Sequence, residues 1–286
     1  MSSHRPEQEN EPKPRPKRGE IIAICSAKGG IGRTTLAVNL AVALSKKNIQ
    51  ICLMDGDFQF GDVSLALDIQ PTFTIKDIIE YMDGMDAFSL AGYLNRHSSG
   101  VKVLAAPERP EFADMITGEL VLKACDLLLT QHDFLIVDTG AGLHDRTLEL
   151  IEKADHVLLM TTLEIASIQN TKMMMETLET LGMRHKIQVV MNRSTMDSVI
   201  KAGEVPDILG EESPIFIPHD GNLVTQSLNI GIPFVMNQGK SDIAKAVFKL
   251  AEQLISRREI AMFKPKQPSF LQSIYYKIKP LKEKIE

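Results

Sequence analysis

The sequence predicts an α/β fold, a doubly wound, mostly parallel sheet sandwiched by helices. Three observations carry this. A short apolar run at 21–25 passes through a glycine-rich turn at 26–35 into a helix-patterned run at 36–44. Nearly unbroken apolar runs recur at 134–138, 156–160 and 187–191, the pattern of parallel strands buried on both faces. Segments with helical spacing at 119–130, 164–181 and 241–258 interleave with them, as the crossovers of a parallel sheet require.

The turn reads Ser26-Ala27-Lys28-Gly29-Gly30-Ile31-Gly32-Arg33-Thr34-Thr35. Strand, glycine loop and helix in that order are the context a phosphate loop needs. Glycines let the backbone curl so that successive N–H groups share one concavity, and the following helix adds its N-terminal partial positive charge. A triphosphate suits such a cradle, and Thr34 stands where a hydroxyl reaches a Mg²⁺ ion. The generic pattern asks for Gly at 27 and Lys at 33, where Ala27 and Arg33 stand; the lysine is earlier, at Lys28.

Composition narrows the classes. The 286 residues, 44% hydrophobic, are enough for one large core, expected at 20–258 between an N-terminal Pro-rich, basic disordered arm, 1–19, and a C-terminal tail, 259–286. No apolar run approaches the ~18 residues of a membrane span, and the charged, Pro-rich start does not read as a secretory signal, so a cytoplasmic protein is expected. Three cysteines, Cys25, Cys52 and Cys125, lack metal-ligand spacing; small buried hydrophobes in a reducing compartment are expected, and an iron–sulfur role is disfavoured. A net charge of −5, absence of Trp and few aromatics weigh against nucleic acid as a partner.

Along the chain, 48–54 reads as a strand ending in Asp55-Gly56-Asp57, two carboxylates where open α/β sheets bind ligands. A helix capped by Thr74 is expected over 74–82, a weaker one over 87–94, and a strand over 101–107. The 119–130 helix turns Leu120, Val121, Ala124, Leu127 and Leu128 inward. The strand at 134–138 ends in Asp138, an acid placed to hold Mg²⁺ through water. In the 164–181 helix, Ile168, Met175 and Leu178 share a face, Gly182 stops it, and Met173-Met174-Met175 cannot all be buried. Asn192 ends the 187–191 strand, where a carboxamide suits a strand cap. A short last strand at 215–220 is limited by Pro218, a helix follows at 222–229 and a turn at 231–233, and Ser241 caps the final helix.

KGGxG followed by a basic residue and Thr-Thr resembles the deviant Walker A motif of the MinD/ParA ATPases, and the resemblance covers about residues 20–256. It implies that Lys28 reaches across a homodimer to the partner subunit's nucleotide, that Asp57 orients the attacking water and Asp55 supports the Mg²⁺ shell, that Asp138 is the Walker B acid, that 139–142 is a second switch with Gly140 where relatives commonly have proline, and that Asn192 and the Pro218 loop flank the base. Cofactors would be ATP and Mg²⁺. The nucleotide ligands would be Lys28, Gly29, Gly30, Ile31, Gly32, Arg33, Thr34, Thr35, Asn192 and Pro218; the metal ligands Thr34, Asp55 and Asp138; and the catalytic groups Lys28, Arg33 and Asp57. Three stretches, 60–65, 104–110 and 217–220 with 229–233, look most like the CpaE/TadZ pilus-assembly branch, implying a slowly hydrolysing, ATP-dependent dimer that positions pilus or secretion machinery. Because Arg is not interchangeable with Lys, a non-hydrolysing scaffold is the alternative; a regulator of division or flagella and a DNA-partitioning ATPase also stay open. In the tail, Phe270, Leu271, Ile274, Tyr275 and Ile278 share one helical face and lysines follow, a pattern that suits weak membrane contact by 269–286 or docking on protein in a membrane-associated machine.

Overall fold

The apolar runs assemble into one eight-stranded sheet. The computed structural model describes residues 18–211 and 213–263; the expected N-terminal arm up to residue 17 and the tail from 264 lie outside the described residues. In chain order the elements are β1 (Glu20–Ser26), α1 (Arg33–Ser45), β2 (Ile51–Gly56), α2 (Val63–Ala66), a 3₁₀ helix (Ile75–Gly84), α3 (Ala87–Ala91), β3 (Asn95–Arg96), β4 (Lys102–Leu104), a second 3₁₀ helix (Pro110–Met115), α4 (Gly118–Leu128), β5 (Phe134–Thr139), α5 (Asp145–Lys153), β6 (His156–Thr161), α6 (Ile165–Thr180), β7 (Ile187–Met191), α7 (Val205–Leu209), β8 (Ile215–Phe216), α8 (Gly221–Ile230), α9 (Phe234–Asn237) and α10 (Asp242–Phe263). The strands lie in the order β3-β4-β2-β5-β1-β6-β7-β8. Every pairing is parallel except β3 with β4.

This order places the C-terminal ends of β2, β5, β1, β6 and β7 side by side, so Asp55, Asp138, Ser26, Thr161 and Met191 close one edge of the sheet. Asp55 and Asp138 are direct cross-strand partners. Residues 21–26 of β1 are fully buried, as a central strand covered on both faces demands. Residues 36–44 of α1 are all buried, which explains why that run shows no one-sided stripe: a helix apolar all round is enclosed all round. Asn39, buried within it, donates to Thr35 O at 2.9 Å and accepts from Val235 N at 3.2 Å, so its amide is satisfied and ties α1 to the start of α9.

Several local expectations hold in detail. All three cysteines are free and buried. Met174 and Met175 are buried while Met173 is 57% exposed. Gly182 takes φ 76° after α6, and Ser241 Oγ accepts from Ala244 N at 3.3 Å at the start of α10. Others differ. The 74–82 helix is 3₁₀ over Ile75–Gly84, entered through Thr74 N donating to Asp77 at 2.7 Å. The second helix ends at Ala91, and Leu127 is only partly buried while Cys125 faces inward. Helix α5 was not legible: of its nine residues only Thr147, Leu150 and Ile151 are buried, too few for a period to emerge. Two compact units are distinguished, one ending at Leu250 and one starting at Ala251. Among the described residues no helix is long and apolar enough to cross a membrane.

Candidate functional site

The glycine loop leaves β1 at Ser26 and enters α1 through Gly32, whose φ is 98°, with Gly30 at φ 71°. Only glycine adopts such angles without strain, so the two glycines alternate the backbone hand, which makes a concave row of amides. Helix α1 starts with no side-chain cap and no acid in its first turn, leaving its terminal N–H groups open to an anion.

Above the loop lies a cavity of about 590 Å³. Gly29, Gly30, Gly32, Arg33, Thr34, Thr35, Asp57, Asn192 and Pro218 all line it, so most of the residues singled out in the sequence converge on one space. Its far wall is apolar, with Leu228, Phe234 and Val247; separated by about two hundred residues from the loop, these gave no sequence signal. Lys28, Asp55 and Asp138 do not line the cavity. Lys28 points outward, its ammonium 3.5 Å from Glu164 at the start of α6.

Beneath the cavity floor, Thr34 Oγ1 donates to Asp138 Oδ2 at 2.6 Å. Asp138 is 2% exposed, and its Oδ1 is buried without a hydrogen-bond partner. Burial pushes the Asp138 carboxyl up to about 7, against the lowering effects of the Thr34 hydrogen bond and the Arg33 charge. Burial, then the Asp138 charge, likewise raises Asp55 well above the usual carboxylate range. Asp55 Oδ1 accepts from Asp57 N at 3.2 Å and Oδ2 from Val63 N at 3.1 Å, so Asp55 anchors the 57–63 loop as well as neighbouring Asp138. An orphaned carboxylate oxygen beside a hydroxyl fits a divalent cation: Thr34 and Asp138 would hold Mg²⁺, with Asp55 behind, the rest of the shell coming from water and phosphate oxygens. Among the described residues no group of three or more His, Cys, Asp or Glu is placed to hold a metal.

Arg33 is turned under the loop. Its guanidinium donates to Ser26 Oγ at 2.7 Å, Thr139 O at 2.9 Å and Lys28 O at 3.2 Å, and stands 3.9 Å from Asp57 and 4.0 Å from Asp138. Ser26 Oγ in turn donates to Lys28 O at 2.6 Å. With Gly142 N donating to Ser26 O at 2.8 Å, Arg33 fastens the segment after β5 to the loop on both sides of Gly140. Asp57 Oδ1 accepts from Phe60 N at 3.2 Å, shaping its own loop.

At the end of β7, Asn192 Nδ2 donates to Ile31 O at 2.7 Å and its Oδ1 accepts from Arg193 N at 2.9 Å. Arg193 Nη2 donates to Gly30 O at 3.1 Å. Sequence reasoning gave Arg193 and Glu164 no role, because their partners lie more than a hundred residues away. A side chain on Gly231 would lie 2.5 Å from Asp68 Cβ, so the turn at 229–233 abuts the segment following 60–65.

A parallel sheet carrying this loop, a carboxylate at the tip of the neighbouring strand and a threonine between them define a P-loop NTPase. The sequence family ParA, described as "NUBPL iron-transfer P-loop NTPase", matches residues 17–255, and the chain belongs to this ParA family. The septum site-determining protein MinD of Thermotoga maritima is 28% identical over 245 residues, 82% of this chain and 88% of that protein. The Pyrococcus horikoshii MinD, solved in complex with Mg-ADP, superposes with TM-score 0.73 at 25% identity, covering 87% of this chain and 100% of that one. A ParA family ATPase from Chlorobium tepidum shares the fold with TM-score 0.76, at 24% identity, over 83% of this chain and 99% of that one. Burial raises each of the three cysteine thiols to about 12.

Proposed function

We propose that the chain binds ATP with Mg²⁺, hydrolyses it slowly and dimerises in its ATP form, acting as a positioning protein of the MinD/ParA type for pilus or secretion machinery. The observation that carries this reading is the Thr34–Asp138 hydrogen bond of 2.6 Å beside an Asp138 Oδ1 that has no hydrogen-bond partner, directly under a glycine cradle. Mg-ADP in the Pyrococcus horikoshii relative supports the cofactor pair, and the septum-site name of the Thermotoga relative supports a positioning role. The CpaE/TadZ-like stretches favour a pilus or secretion machine within that class.

On this reading the amides of 29–34 receive the terminal phosphates and Lys28, leaving Glu164, reaches the partner subunit's nucleotide. Asp57 sits at the cavity wall to orient water. Mg²⁺, when bound, neutralises charge developing on the phosphates. Loss of the γ-phosphate relaxes the segments after Asp57 and Asp138, and the dimer loosens. The test is molar mass by light scattering with ATP and Mg²⁺, with ADP and without nucleotide, on wild type and Lys28→Ala. An ATP-specific dimer that Lys28→Ala abolishes is expected; a monomer under every condition overturns the dimer reading.

A second reading rests on Arg33. Its guanidinium is committed to Ser26, Lys28 and Thr139, which favours a scaffold that binds ATP without turnover. Single-turnover release of phosphate from radiolabelled ATP separates the two.

A further inference from the structure

We propose that Asn192 and Arg193 are positioning residues for the phosphate loop, a brace from β7 that presets its amides whatever base the nucleotide carries. The proposal rests on the nucleotide reading above and deepens it.

A trans peptide is planar, so holding the carbonyl of one residue to one side turns the N–H of the next residue to the other. Asn192 Nδ2 holds Ile31 O at 2.7 Å and thereby fixes the N–H of Gly32. Arg193 Nη2 holds Gly30 O at 3.1 Å and fixes the N–H of Ile31. Arg33 and Ser26 do the same for Lys28 O from the opposite side, fixing the N–H of Gly29. Three peptide planes are thus set by side chains, and the two flanked by the positive-φ glycines, Gly30 and Gly32, are set from β7.

The brace is itself rigid. Asn192 N donates to Thr161 O at 2.8 Å, binding it to the end of β6, and Asn192 Oδ1 accepts the N–H of Arg193, which orients the amide. Arg193 is one of three non-glycine residues at positive φ among the described residues, at 55°, a conformation an Arg adopts only at a cost. A β-carbon on Gly32 would lie 2.6 Å from Asn192 Nδ2, so brace and loop are in direct contact. One N–H and one lone pair of the Asn192 amide stay open to a base, so the brace and base recognition are compatible and need a probe that separates them.

Inorganic tripolyphosphate has the phosphates and no base. Its affinity, and that of ATP, is measured by calorimetry with Mg²⁺ for wild type, Asn192→Ala and Arg193→Met, with urea unfolding of each. Arg193→Met removes a largely solvent-facing bond and keeps the fold testable if Asn192→Ala does not fold. The expected result is a loss of about fivefold or more in tripolyphosphate affinity for each variant, the worth of one hydrogen bond, with the unfolding midpoint of Arg193→Met unchanged and that of Asn192→Ala modestly lowered. Unchanged tripolyphosphate binding with weakened ATP binding in Asn192→Ala would show base reading alone and overturn the brace. Wild type binding neither probe would overturn the nucleotide reading and the brace with it.

Discussion

Thr34 and Asp138 lie 104 residues apart in the chain and share a 2.6 Å hydrogen bond. The contact exists because β1 and β5 are neighbours with Ile24 level with Asp138, so a residue in the first turn of the helix after β1 meets an acid at the tip of β5. It satisfies one carboxylate oxygen and leaves the other buried without a hydrogen bond, 4.0 Å from Arg33 Nε. A buried charge in that condition is costly, and the raised pKa of about 7 expresses the cost. Replacing Asp138 by Asn keeps an acceptor for Thr34 and removes the charge. Asp138→Asn is expected to raise the unfolding free energy of the nucleotide-free chain at pH 8, because a buried charge is removed, and to abolish Mg²⁺-dependent nucleotide binding. Urea titrations and calorimetry check the two halves.

Arg33→Lys tests whether the guanidinium is a strut. Lysine cannot reproduce three hydrogen bonds from one planar fork, so Thr139 O loses its tie to the loop while the Gly142–Ser26 bond remains. The nucleotide-free chain is expected to lose about 1–2 kcal/mol, and phosphate release to rise about tenfold or more as a flexible ammonium reaches the cavity. Thermal unfolding and single-turnover release of radiolabelled phosphate are the measurements. An unchanged slow release would leave the strut without a catalytic consequence.

The sheet was legible because strands buried on both faces must be apolar throughout, and 21–25, 134–138, 156–160 and 187–191 are. The glycine loop was legible because positive φ leaves few residue choices. What was not legible depends on pairing across long separations. Nothing in the neighbourhood of Arg33 says that its partners are Ser26, Lys28 and Thr139, and nothing near Arg193 points to Gly30. Helix α5, with two acids and a cation in its second half, lacked the apolar repeat that marked α4 and α6. The turn at 229–233 gave a sequence likeness, but its packing against Asp68 is a property of the fold.

His132 predicts an acid-side weakness. Its ring is buried, Nδ1 meets Leu128 O at 2.9 Å and Nε2 has no partner; burial lowers its pKa, as it does for His97. The unfolded chain takes up protons near 6.5 while the folded chain does not, so the unfolded state binds more protons there and stability falls as pH drops through 6.5. The His132 contribution is expected to weaken the fold between pH 7.5 and 5.5 while the raised Asp138 and Asp55 carboxyls act in the opposite direction, so the check is a difference: the urea midpoint of His132→Leu relative to wild type is expected to rise as pH falls from 7.5 to 5.5. Leu128 O keeps its backbone donor, His132 N, at 3.1 Å, so the substitution strands no acceptor.

Gly61 and Gly140 predict opposite outcomes for the same substitution. A β-carbon on Gly61 would lie 2.3 Å from Asp55 Oδ2 and 2.5 Å from Oδ1. That carboxylate holds Asp57 N and Val63 N, so it cannot retreat without releasing the loop that carries Asp57. Gly61→Ala is expected to cost about 2 kcal/mol, in the range of a disrupted buried hydrogen-bonding group, and to slow any turnover by misplacing Asp57. Gly140 meets nothing within 4 Å and keeps negative φ. Gly140→Ala there restricts the unfolded chain more than the folded one, for a gain of about 0.4–1 kcal/mol. Paired urea titrations of the two variants decide the matter: if Gly61→Ala is as harmless as Gly140→Ala, the Asp55 carboxylate has room to move, and its hold on the 57–63 loop is not what places Asp57 at the cavity wall.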